Sequence, residues 1–119
     1  MTDRGAGMMA SRLLLAGSGS MDYTSFMKFE WDEAKSDACF RQRGFDFAYA
    51  AFAFADPNRM IWQDTRYSYG EDRYRLMGSI EARVFVIAYT PRSDVVRIIS
   101  ARKANQREVK HYENRPNDD

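Results

Sequence analysis

Val84-Phe85-Val86-Ile87-Ala88-Tyr89, the turn Thr90-Pro91-Arg92-Ser93, and the run from Val95 to Ala104 decide how this chain folds. The first run is almost wholly apolar, as a central strand covered on both faces requires. The second is Val95-Val96-Arg97-Ile98-Ile99-Ser100 and follows a turn too short for a crossover, so the two strands pair antiparallel. Upstream, Tyr74 to Ser79 makes a third strand. It is joined through Ser79-Ile80-Glu81-Ala82, which extends the pair into a meander. Met60 to Gln63 reads as a fourth strand.

Toward the N-terminus the period changes. Met27-Lys28-Phe29-Glu30-Trp31 alternates as a short edge strand does. Asp32 can cap a helix by accepting from backbone amides one turn on, and Glu33 suits the positive end of its dipole. That helix is expected to run to about Arg43, where Gly44 can take the left-handed conformation. Asp46 can cap a second helix from Phe47 to about Ala55, which Asp56-Pro57 stops. Beyond the meander, Ala104 to Asn114 reads as a final helix. The expected class is α+β, an antiparallel sheet packed with helices in the order β-α-α-β-β-β-β-α.

The chain has 119 residues, enough for one domain, expected over 27–115 with a tail over 116–119. Its hydrophobic fraction of 45% and aromatic fraction of 14% fit a packed core rather than disorder. Residues 1–26 carry four glycines and four methionines and are set aside as a disordered extension or an artefact of start site or expression. The apolar piece Leu13-Leu14-Leu15-Ala16 is too short for a signal peptide or a bilayer span. The expected setting is cytoplasmic, without a membrane partner.

One cysteine, Cys39, excludes an intramolecular disulfide, and with one histidine, His111, it excludes a Cys/His zinc cluster. Cys39 is read as a small buried helix residue. Glycine-rich phosphate loops and Ser/His/Asp arrangements are absent, so neither nucleotide-dependent chemistry nor a hydrolase triad has support. No cofactor and no metal are expected.

Charge is uneven. Although the net charge is only +1, Arg92 to Arg115 holds seven Lys/Arg against three acids, while Met27 to Asp72 holds six against nine. A basic face for a phosphate-bearing partner would follow from such a split, and so would an ordinary solvated helix. The sharpest residue is Arg97, a charge in an otherwise apolar strand. It either lines a cleft or pairs with an acid across the sheet, such as Glu71, because an unpaired buried guanidinium is strongly unfavourable. Arg102 and Lys103 lie where the strand passes into the last helix, a good setting for phosphate. Glu71, Arg73 and Arg75 precede and enter the second of the four later strands. His111 can serve as general acid or base or as a half-exposed helix residue, and Tyr112 can be core or rim or touch a base or phosphate.

At these residues the chain resembles the BrnT family. The likeness begins with Phe29-Glu30-Trp31-Asp32 and Lys35. It continues through Arg43-Gly44, Phe47, Ala50, Asp56-Pro57, Glu71, Arg73 and Gly78. It closes on Arg97-Ile98-Ile99-Ser100-Ala101-Arg102-Lys103-Ala104, Glu108, Tyr112 and Glu113. The resemblance implies a RelE-like fold and a metal-independent endoribonuclease toxin that inhibits translation and growth. Its implied partners are RNA, a BrnA-like ribbon-helix-helix antitoxin and, through that antitoxin, operator DNA, in a dimer or a heterotetramer. Arg97, Arg102, Glu71 and His111 are then the catalytic candidates. Lys103, Arg73, Lys35, Arg43 and Tyr112 are the substrate-binding ones. Relatives often carry Lys-His-Gly where this chain has Gln42-Arg43-Gly44, and arginine replaces the charge of that histidine but not its proton transfer near neutral pH. A non-catalytic nucleic-acid or antitoxin-binding module and a ParE-like toxin with another target are the alternatives.

Overall fold

The computed structural model describes residues 27–115, and the readings made for 1–26 and 116–119 lie outside the described residues. Strand β1 (Lys28–Trp31) leads into helix α1 (Glu33–Arg43). The Asp32 carboxylate accepts from the amides of Ala34 and Lys35, and Gly44 closes the helix at φ 87°, both as the sequence requires. Helix α2 (Phe47–Ala50) is capped by Asp46 and tightens into a 3₁₀ segment, Ala51–Ala55. Four strands follow: β2 (Met60–Gln63), β3 (Tyr74–Ile80), β4 (Arg83–Arg92) and β5 (Val95–Lys103). Helix α3 (Gln106–Asn114) starts two residues later than expected. Its cap, Asn105, forms a reciprocal capping box with Glu108.

The five strands form one sheet in the order β1-β5-β4-β3-β2. Strands β3 to β5 pair antiparallel, as the short turns require, and β2 pairs antiparallel with β3 through the loop 64–73. The expectation of a purely antiparallel sheet is corrected at one edge: β1 runs parallel to β5, with Glu30 opposite Arg97. The intervening helices and three strands supply the crossover that a parallel pair needs. The sheet is therefore mixed, and the class is α+β.

Each sheet face has its own cover. Helices α1 and α2 bury one face, where Phe29, Trp31, Phe47, Phe54, Leu76, Phe85, Ile87 and Ile98 form the main core. Ring pairs such as Phe29–Phe54 and Phe54–Tyr89, with centroids 5.1 and 5.0 Å apart, meet edge to face. Gly78 lets this layer close, because a Cβ there would stand 2.6 Å from the Ala53 carbonyl oxygen. The other face carries a smaller cluster of Met77, Val84 and Val86, against which Val109 and Tyr112 of α3 pack. Helix α3 covers only part of this face, and the remainder is called the open face below.

A bulge in β5 decides which side chains reach which face. Ala88 pairs with Ser100 and Tyr89 with Ile98, so Ile99 is an extra residue. Strict alternation would set Arg97 and Lys103 on one face and Arg102 on the other. The bulge shifts the phase: Arg97 stands opposite Thr90 and Arg102 opposite Val86, both on the open face, while Lys103 stands opposite Phe85 on the helix face.

Candidate functional site

The open face of β5 and its surroundings hold a continuous chain of ion pairs. Arg97 reaches Glu30 of β1 at 3.2 Å, and the same carboxylate oxygen lies 3.7 Å from Arg92 at the end of β4. Arg92 also contacts Glu71 at 3.4 Å, and Glu71 contacts Arg73 at 3.4 Å. Arg97 thus pairs with an acid across the sheet, as one of the two readings required. The acid is Glu30, however, and Glu71 sits two links further along. The parallel β1–β5 register puts Glu30 there, and that register has no local signal. Its one sequence clue is that Glu30 alternates with the buried Phe29 and Trp31.

Glu71 belongs to the loop between β2 and β3, which is held from within. Asp64, 8% exposed, takes two charge-assisted bonds from Arg66 at 2.8 and 2.9 Å and one from Tyr69 at 3.2 Å. The Arg73 guanidinium lies 4.2 Å over the Tyr69 ring. Thr90, fully buried, donates to the Asp72 carbonyl at 2.6 Å and ties the loop to β4 beside Arg97's row. This anchoring fixes the Glu71 carboxylate against the open face.

Arg102 occupies the same face four rows of β4 away, about 13 Å at the usual strand rise. It is committed elsewhere: its guanidinium grips Glu108 of α3 at 2.8 and 3.0 Å. That pair, foremost the Arg102 bond, pulls the Glu108 carboxyl down to about 2. Arg102 therefore anchors the first turn of α3 to the sheet.

His111 stands at the exposed side of α3 and lines a hollow of about 470 Å³ with Met60, Ile61, Trp62, Met77, Arg107 and Glu108. Arg75 lies 6.0 Å over the Trp62 ring at its margin. Tyr112 donates to Asp56, whose carboxylate also accepts from the amides of Ser79 at 2.7 Å and Asn58 at 2.8 Å. Burial first and then the Asp56 bond push the Tyr112 hydroxyl up to about 12. Tyr112 is thus a structural link between α3, the end of α2 and β3.

The remaining candidates lie on the other side of the sheet. Lys35 is exposed on α1. Arg43 and Lys103 share a second hollow, of about 460 Å³, with Arg83 and the rings of Phe40, Phe45, Tyr49 and Phe85. The expected joint site of Arg97, Arg102 and Lys103 is therefore corrected: the β5 bulge sends Lys103 to the opposite face from the two arginines. Cys39 is buried, its thiol 3.6 Å from the Ala101 carbonyl, and burial raises its pKa. No three metal-ligating side chains gather among the described residues.

A family model described as "Ribonuclease toxin, BrnT, of type II toxin-antitoxin system" matches residues 31–108. The chain belongs to the BrnT family. No curated protein matches it. The matched span runs from Trp31 to Glu108 and so takes in the ion-paired loop, β5 and the Arg102–Glu108 anchor. BrnT proteins are ribonuclease toxins of type II systems, which implies an antitoxin partner for this chain. Among the described residues no helix is long and apolar enough to cross a membrane.

Proposed function

We propose that this BrnT protein is an endoribonuclease of RelE-like fold. It cleaves RNA on the open face of its sheet without a metal, inhibits translation in the cytoplasm, and is neutralised by a BrnA-like ribbon-helix-helix antitoxin that carries the complex to operator DNA. The observation that carries the reading is the cluster of Arg97, Glu30, Arg92, Glu71 and Arg73, all but Glu30 within the span matched to a ribonuclease family. The order of elements, with helices on an antiparallel meander, supports the RelE-like assignment.

In this mechanism the 2′-hydroxyl of the substrate attacks the adjacent phosphorus, and the 5′-oxygen leaves. The products are a 2′,3′-cyclic phosphate and a 5′-hydroxyl end. Glu71 takes the proton of the attacking hydroxyl, Arg73 and Arg92 hold its carboxylate in place, and the departing 5′-oxygen takes a proton from solvent water. Arg97 faces the non-bridging oxygens with the N–H groups not used by Glu30 and stabilises the charge that develops there. Preorganised donors of this kind contribute most when they meet charge that grows only in the transition state. Glu30 is a positioning residue that holds Arg97 extended over the open face. Trp62 and His111 border the adjoining hollow, where a flanking base stacks. Arg102 acts at a distance by fixing α3.

The test is to incubate purified protein with a generic RNA in EDTA and map the new ends. Ends carrying 2′,3′-cyclic phosphate are expected. Intact RNA from folded protein that still arrests growth would point to another target, as for a ParE-like toxin. Bound but uncleaved RNA would mark a non-catalytic binding module.

A further inference from the structure

The hollow on the helix face gathers three exposed cations. Arg43, Arg83 and Lys103 line it, all three are exposed, and none forms an ion pair with a described carboxylate. Its own two acids accept hydrogen bonds within the fold, and the three cations exceed them by one charge. Glu81 accepts from the Tyr49 hydroxyl at 2.5 Å, and Asp46 caps α2 through the Tyr49 amide at 3.0 Å. Aromatic rings form the floor: Phe45, Tyr49 and Phe85 meet edge to face or tilted, with centroids 5.0 to 6.3 Å apart. Phe40 stands at the rim with 57% of its surface exposed. Cations in excess of acids beside the exposed Phe40 ring suit a single-stranded nucleic acid, phosphates for the cations and a base for the ring.

We infer that this hollow is a second RNA subsite, holding a single-stranded segment of the substrate away from the cleavage centre. The inference rests on the reading of the protein as an RNA-cleaving enzyme. In the open-face cluster Arg73, Arg92 and Arg97 are held by Glu30 and Glu71, so a polyanion gains from a further source of positive charge nearby. The hollow supplies it. Lys103 directly follows Arg102, so the two faces meet at the end of β5, and a strand can pass from one to the other around that end. An acidic protein segment would also meet the cations, but the stacking rim and the polyanionic substrate favour RNA.

The test uses the full chain and a fluorescent twelve-nucleotide RNA with 2′-O-methyl sugars, which cannot be cleaved by 2′-hydroxyl attack. Binding is measured by anisotropy over a salt series. The double variant Arg83→Glu, Lys103→Glu is expected to bind at least tenfold more weakly. Because two phosphate contacts are lost, its log–log salt slope should flatten by about 1.4. Phe40→Ala is expected to lose roughly tenfold. Both sites are exposed, and an unchanged melting curve confirms that the variants fold. Double-variant affinity within twofold of wild type overturns the inference, as does a wild type that does not bind the probe. Variants that keep the RNA but lose the antitoxin overturn it in favour of a protein-docking surface. A wild type that holds the probe through the hollow yet leaves natural RNA intact supports the subsite and refutes the nuclease reading.

Discussion

On the open face, Arg97, Arg92, Arg73 and Arg102 each hold a carboxylate, whereas Arg43, Arg83 and Lys103 around the opposite hollow hold none among the described residues. The difference teaches how a small sheet can separate chemistry from grip. Ion pairing orients a guanidinium at the cost of its free charge, which suits a group that must meet one phosphate in one geometry. Leaving cations unpaired does the reverse: it keeps long-range attraction and gives up orientation.

The comparison breaks most readily at Arg97. Its replacement by alanine should lower cleavage by roughly 10²- to 10³-fold, as removal of one transition-state donor does. Thermal unfolding should barely change. A variant that cleaves like wild type would place the chemistry elsewhere.

The sheet itself is the next target, since both regions depend on its closure. Gly78→Ala pushes a methyl group against the Ala53 carbonyl. It should cost about 1–3 kcal/mol, as overpacking does, read as a fall in Tm of several degrees. An unshifted Tm would show that the 3₁₀ segment yields freely.

The Arg102–Glu108 anchor gives a pH signature. The folded-state pKa of Glu108 is depressed to about 2 from the ordinary 4.5. The anchor's contribution is then fully present above pH 4.5 and is lost as pH falls toward 2. Glu108→Gln should melt below wild type at pH 7, and the two curves should converge in acid. A constant gap between them from pH 7 to pH 2.5 would contradict the assignment.

The smallest effect expected is at the β3–β4 turn, where Glu81 and Ala82 carry φ of 49° and 68°. Glycine takes such angles without the steric cost that a Cβ brings. Ala82→Gly should raise stability by about 0.4–1 kcal/mol in chemical denaturation, and a loss would show that the turn is not strained.

Much of the fold was legible in the sequence because its signals are local. Asp32, Gly44, Asp46 and Asp56-Pro57 bound the helices by short-range chemistry, and the turns at Glu81-Ala82 and Ser93 allow only antiparallel pairing. Less of the site was legible. The alternation of Glu30 with Phe29 and Trp31 gives its face but not its neighbour, because a parallel partner is chosen by a crossover of more than sixty residues. Nor does any residue type announce the bulge at Ile99, yet it swaps the sides of Arg102 and Lys103. A run read as one basic site became an anchor on one face and a rim residue on the other.

Single-turnover cleavage of one RNA by saturating wild-type protein and by Arg97→Ala, both in EDTA, tests the central claim most directly. The account predicts cyclic-phosphate ends from the wild type and a rate at least a hundredfold lower from the variant. Equal rates would contradict it.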